Sequence, residues 1–198
     1  MRKGKREMTK VEMVYRALAF ANEAHKKQAR KGSDGEAYIT HPTEVMSVMN
    51  AMGLASTDPN LVAAGLLHDV VEDETGFTLD DIREEFGDDV ATLVEAHTED
   101  KSGTWEVRKT RLIDELQTAD KRVKLLVMAD AMANLRNMYR DKIKYGDELW
   151  KRFNAPEDRQ RWYYSSIVDA MSEFGTYDYS AVTYGEMVEL LHKVFPEE

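Results

Sequence analysis

The stretch from Leu61 to Thr75, LVAAGLLHDVVEDET, sets His68, Asp69, Glu72 and Asp73 into a run that is otherwise apolar. An unpaired charge in such surroundings is costly or shifts its pKa until it is neutral, so these side chains need partners. On a helical path Leu61, Ala64, Gly65, His68 and Glu72 share one stripe, and Asp69 and Asp73 lie about 100° around from their predecessors. His68 and Asp69 then approach one point from adjacent flanks. A second anomaly is Asp130 in VKLLVMADAMANLRNMYRD, on a stripe with Val123, Leu126, Val127 and Asn134 where the pattern calls for an apolar residue. A third is His41 in YITHP, at a helix start directly after a glycine-containing loop. The chain has no cysteine, so thiolate sites are excluded. Two imidazoles and two carboxylates from His41, His68, Asp69 and Asp130 make a hard-to-borderline ligand set suited to Mn, Fe, Zn or a similar divalent ion.

Each of these residues also has a plainer structural reading. A histidine at a helix start is commonly a cap or a hydrogen-bonded core group, and Asp130 could pair with Arg136 or a distant lysine. Glu72 lies one helical turn beyond His68, and Asp73 one turn beyond Asp69, near enough to orient a water or take its proton. By spacing alone the same pair reads equally well as a solvated helix end beside Glu74. Arg30 and Lys31 suit the exposed C-terminal end of the first helix or a phosphate contact, with Arg136, Arg140 and Lys142 as further cations for that work. Tyr163 and Tyr164 read as core residues or as a stacking surface for a base. His25, His97 and His192 read as surface or cap positions.

The elements that must position these groups are helical nearly throughout. Val11, Val14, Tyr15 and Leu18, and then Val45, Val48, Met49 and Met52, follow the amphipathic spacing, the second set opened by Pro42 and stopped by Gly53. Asp58-Pro59 is an N-cap with a first-turn proline, and the helix it opens is expected to run through the 61–75 stretch toward Gly76. Thr78 with Asp81 starts a short helix that Gly87 closes, and another spans Val90 to His97. Thr104 caps a helix to about Gln117, and a long one follows from about Asp120 to Asp141. Asn154 and Pro156 open a helix through WYYSSIVDAM, and Thr183 with Glu186 forms a capping box for the last one. No period-2 strand stands out. The expected fold is all-α, a single bundle of about eight to ten helices. One domain is expected over residues 1–198, with its core from about 10 to about 175 and a C-terminal helix from about 183 to 195.

With 198 residues, 42% of them apolar, the chain can bury a sizeable core. Its net charge of −10 argues against general nucleic-acid binding. The charge is uneven: residues 1–31 carry ten Lys/Arg against three acids, and 69–89 carry ten acids against one Arg. No apolar stretch approaches the roughly 18 residues of a membrane span. The expectation is therefore a cytoplasmic protein that uses neither a membrane nor a nucleic acid as partner.

The ordered segments AHKKQARKGSDGEAYITHP, AAGLLHDVVEDET and MADAMANLRNM, covering about Ala17 to Met171, resemble the successive motifs of the HD-domain hydrolases of RelA/SpoT proteins. Without a synthetase or regulatory segment, the chain is similar to a stand-alone small alarmone hydrolase. The resemblance implies an HD fold with a divalent metal, typically Mn²⁺, on His41, His68, Asp69 and Asp130. It implies that Glu72 and Asp73 handle water and protons while the 3′-pyrophosphate of ppGpp or pppGpp is removed to give GDP or GTP. It further implies that Arg30 and Lys31 meet the substrate and that Asn134 contributes to the nucleotide pocket. Such relatives commonly carry Lys or Arg directly after the last metal aspartate, where this chain has Ala131. That departure bears on substrate preference, and ppApp, NADPH or a 5′-nucleotide stand as alternative substrates. A non-catalytic HD module that binds metal and nucleotide is the alternative of a different class.

Overall fold

The computed structural model describes residues 8–30, 35–73, 75–176 and 178–196. Lys31 and Glu74 lie outside these residues. The helices are α1 (Lys10–Ala24), α2 (Thr40–Ala51), the short α3 (Leu54–Thr57), α4 (Pro59–Leu67), α5 (Leu79–Phe86), α6 (Asp88–His97), α7 (Trp105–Leu116), α8 (Lys121–Tyr145), α9 (Glu157–Ala170) and α10 (Asp178–Val194). Two 3₁₀ segments, Gly146–Arg152 and Ser172–Thr176, join the last three. The protein is all-α. Among the described residues the only β-type pairing is one isolated antiparallel bridge between Ala29 and Ala37.

Local signals set most helix starts. Thr9 and Glu12 form a capping box on α1, and Thr78 and Asp81 do the same on α5. The Asp58 side chain accepts from the Leu61 amide, with Pro59 in the first turn of α4. Thr104 caps α7 and Asp120 caps α8. Gly53, with φ of 72°, lets the chain turn sharply out of α2, a conformation that side chains other than glycine rarely adopt.

Helix α4 forms the axis of the core. Every residue from Leu61 to Leu67 is buried, and α1, α2, α6 and α8 pack around it. A helix with no solvated face has no amphipathic period, which is why its sequence reads as a continuous apolar run. Gly65 allows the close approach of α2: a Cβ there would meet Met49 Sδ at 2.7 Å, Met49 Cε at 2.8 Å and Val45 Cγ1 at 3.3 Å. Met49 can swing aside for one methyl, but not for a branched side chain against Val45 as well. Gly65→Val is therefore expected to cost about 1–3 kcal/mol by overpacking. Urea denaturation checks this, and an unchanged midpoint would show the contact to be slack.

Three expectations about the elements need correction. The helix through the 61–75 stretch does not continue to Gly76; regular α-helix ends at Leu67 and residues 68–73 form successive turns. There the Val70 amide bonds to the Leu67 carbonyl, and the Thr75 hydroxyl takes the Val70 carbonyl. The tightening lets His68 and Asp69 leave the α4 axis for the site. Second, Val11 and Tyr15 are exposed, and the buried positions of α1 are Ala17 and Ala21. Small residues win that face because α1 lies close against α4. Third, α10 begins at Asp178 rather than at Thr183, which is buried inside it. A Thr/Glu pair three residues apart fits a helix interior as well as an end, and only the preceding turn decides.

Candidate metal centre and active-site cavity

Four elements converge on one buried point. The first turn of α2 brings His41, the turn after α4 brings His68 and Asp69, the middle of α8 brings Asp130, and the end of α6 brings His97. His68 is fully buried and His41 nearly so. His41 Nε2 lies 3.1 Å from Asp130 Oδ1 and 3.5 Å from Asp69 Oδ2. His68 Nε2 lies 3.1 Å from Asp69 Oδ2, 3.7 Å from Asp130 Oδ1 and 3.2 Å from His41 Nε2. All four ligand candidates from the sequence thus come together, and His41, His68 and Asp130 can each offer an atom to one shared ion.

The arrangement fits a divalent cation. The Nδ1–H of His68 donates to the Gly65 carbonyl at 2.7 Å, which commits that tautomer and turns the Nε2 lone pair toward His41 and the two carboxylates. Two imidazole nitrogens at 3.2 Å with two carboxylates behind them need a proton or a cation between them. With protons alone, the electrostatics are strained toward charge separation. Burial would push His68 down, yet the Asp69 and Asp130 carboxylates outweigh it and raise its pKa to about 10. Burial would likewise raise both aspartates, but the imidazoles overcome it: Asp69 is held well below the usual carboxylate range by His68 and His41, and Asp130 is held at about 2 by its contact with His41.

A supporting layer holds the ligands. The Tyr38 hydroxyl donates to Asp69 Oδ2 at 2.7 Å, and burial together with the Asp69 charge drives its own pKa far upward, so it stays a donor. His25 is stacked on the Tyr38 ring at 4.6 Å, and Gln28 donates to the Asp73 carbonyl at 3.1 Å. Asn134 Nδ2 donates to Asp130 Oδ1 at 2.8 Å, while its own oxygen accepts from Arg30 Nη2 at 3.4 Å. Tyr38→Phe is expected to weaken metal binding about 10–100-fold, because the outer partner orients the ligating carboxylate. Calorimetric titration with Mn²⁺ measures it, and an unchanged Kd would show that Asp69 needs no such partner.

The centre opens into a cavity of about 730 Å³. Arg30, Glu72, Asp73, Asn134, Tyr163 and Tyr164 all line it. Glu72 Oε2 accepts from the Glu99 amide at 3.2 Å, and burial raises the Glu72 pKa despite that bond. Other candidates are engaged elsewhere: Arg136 with Glu186, Arg140 with Glu44, and Lys142 with the Val194 carbonyl. Asp130 accordingly does not pair with Arg136. Lys101 and Lys109 also line the cavity, and their local sequence does not set them apart from other exposed cations.

His25 takes the C-cap position of α1, one of its two expected places, but is buried beneath Tyr38 rather than at the surface. His97 packs 4.9 Å from the His68 ring, with Nε2 3.9 Å from Asp130 Oδ2, and its pKa is lowered to about 4 by burial and by the neighbouring His68 charge. A histidine in the last turn of a helix suits the dipole there, so its type and place concealed its burial. His192 is exposed, as expected.

The comparisons with known proteins agree with this architecture. Residues 17–151 match the HD domain family. The chain is a member of the HD-domain family. Among its relatives, the guanosine-3′,5′-bis(diphosphate) 3′-pyrophosphohydrolase MESH1 of Xenopus tropicalis is 37% identical over 128 residues, 65% of this chain and 70% of that protein. A solved structure of a Listeria monocytogenes protein is 35% identical with a TM-score of 0.70, covering 79% of this HD-domain chain and 99% of the other. A second, described as a metazoan ortholog of SpoT that hydrolyzes ppGpp and plays a role in starvation responses, is 26% identical with a TM-score of 0.71 over 94% of this chain and 97% of that one.

Proposed function

We propose that this HD-domain protein hydrolyses the 3′-pyrophosphate of guanosine-3′,5′-bis(diphosphate) and its pentaphosphate homologue, releasing pyrophosphate and GDP or GTP and so turning over an alarmone. The observation that carries this reading is the buried convergence of His41, His68, Asp69 and Asp130 at the end of a cavity that also holds Glu72, Asp73, Arg30 and Asn134. The relatives with matching names support it.

His41, His68, Asp69 and Asp130 would hold the ion, and two imidazoles with two carboxylates suit Mn²⁺. A divalent ion so held lowers the pKa of water and polarises a phosphoryl oxygen. Glu72 and Asp73 stand beside the ligands as proton acceptors; the raised pKa of Glu72 brings it nearer the working pH, where an acid–base group is most effective. Arg30 bonds to Asn134, which in turn bonds to Asp130, so a guanidinium stands close to the ligand set to offset phosphate charge that the carboxylates repel. Lys31, proposed with Arg30 for the substrate, lies outside the described residues. No helix among the described residues is long and apolar enough to cross a membrane.

The test is pyrophosphate release from ppGpp by Mn²⁺-loaded protein, with ppApp and NADPH as competing substrates. Turnover of NADPH without ppGpp would keep the site and overturn the substrate; no turnover of any would favour a binding module. The pH dependence of metal binding follows from His68. Its proton, held with a pKa of about 10 in the ion-free site, must leave for Nε2 to ligate. Affinity is then expected to fall about tenfold per pH unit as pH drops below that value, with proton release on binding. Calorimetry in buffers of different ionisation enthalpy measures this, and a pH-independent Kd without proton release would exclude His68 as a ligand.

A further inference from the structure

The cavity continues away from the metal centre along α8. Asp130, Asn134, Asn137 and Asp141 fall on one face at successive turns, and all four line it. Asp130 and Asp141 are eleven residues apart, about 16 Å along the axis. At the near end Asn134 binds Asp130 and Arg30. At the far end Asn137 Nδ2 donates to Asp141 Oδ2 at 3.3 Å, which engages one oxygen of the carboxylate and orients the group. Met138, Leu149 and Phe153 supply apolar wall at that end of the cavity.

An acid in a pocket for a polyanion calls for a reason. At that separation Asp141 repels phosphates bound at the metal less than Asp69 and Asp130 do, because Coulomb repulsion falls with distance. Burial raises its pKa, with Arg152, Arg140, Arg30 and Lys144 near enough to oppose the rise. A half-buried carboxylate on a polar stripe, with one oxygen steadied by an amide and apolar surface beside it, is built to accept two hydrogens from a flat ligand.

We propose that Asp141, oriented by Asn137, selects the nucleobase, its carboxylate accepting the adjacent N1–H and N2–H donors of guanine while Met138 and Phe153 flank the ring. The inference rests on the phosphohydrolase reading, which sets the 3′-phosphates at the metal and leaves the base for the far end of the cavity. Adenine presents a ring-nitrogen acceptor where guanine presents N1–H, so a carboxylate meets a lone pair and stays unpaired. A paired acceptor of this kind discriminates by about 10–100-fold.

The experiment compares kcat/KM for ppGpp, ppApp and the inosine analogue, which lacks the 2-amino group, in the wild type and in Asp141→Asn, all Mn²⁺-loaded. The expected result is a wild-type preference for guanosine over adenosine of about 10–100-fold, inosine between them, and collapse of that ratio toward unity in the variant. A wild-type ratio already near unity, or a ratio unchanged in Asp141→Asn, overturns the assignment of Asp141 while the hydrolase reading stands. If no substrate of the three is hydrolysed, the hydrolase reading fails instead, and calorimetric affinities for GDP and ADP decide the base: discrimination lost in Asp141→Asn supports it, and equal affinities overturn it.

Discussion

His68→Ala is expected to abolish metal binding and to lower turnover of ppGpp by on the order of a thousandfold or more, because the ion supplies several kcal/mol of transition-state stabilisation and each 1.4 kcal/mol is a factor of ten. The physical reason lies in the surroundings of the side chain. His68 has no solvent access, its Nδ1 is committed to Gly65, and its Nε2 faces His41, Asp69 and Asp130. Its loss also removes the cationic partner that Asp69 and Asp130 share, leaving them the neutral donors Tyr38 and Asn134 beside His41; breaking a buried charge pair costs about 3–5 kcal/mol, so the variant is expected to melt earlier than the wild type. Asp130→Asn separates ligation from folding: it keeps the shape and the α8 face while removing a charged donor. Manganese titration followed by electron paramagnetic resonance, with thermal melting in parallel, checks both. A folded His68→Ala protein that bound Mn²⁺ with unchanged affinity would refute the four-residue centre.

Glu72→Gln and Asp73→Asn carry the second large effect, with the opposite signature. Both residues line the cavity without belonging to the converging set around His41 and His68. Loss of a positioned proton acceptor is expected to lower kcat by about 10²–10⁴-fold, while metal affinity stays near wild type. Glu72 adds a pH readout. Burial raises its pKa, so its ionised, proton-accepting form is lost at a higher pH than an ordinary glutamate would show. The acid limb of the rate profile is then displaced upward, and it disappears in Glu72→Gln. A variant that lost metal along with rate would instead place Glu72 or Asp73 among the ligands.

Features governed by short-range chemistry are legible in the chain alone. The caps at Asp58, Thr78 and Thr104 act over three or four residues, and each appears where its residue types require. His41, His68, Asp69 and Asp130 were legible because each breaks an apolar period, and a charged group where burial is expected demands a partner. The order of the HD motifs carried the family. The tertiary structure decided whatever depends on which surfaces meet. His97 and Tyr38 sit in stretches whose local pattern is the same whether the side chain faces solvent or a neighbouring helix, and only the packing of α6 and of the 35–39 segment against the centre makes one a neighbour of Asp130 and the other a donor to Asp69. Val11 and Tyr15 satisfied the helical spacing, yet the approach of α4 selected Ala17 and Ala21 on another face of the helix. Asp141 reads in the chain as one more charge on a polar helix end; its place on the cavity wall follows from the full length of α8 and from the 3₁₀ segment that folds back beside it. Periodicity and capping are local quantities, while burial and convergence are set by residues far apart in the chain, as the bond from Arg30 to Asn134 across 104 residues shows.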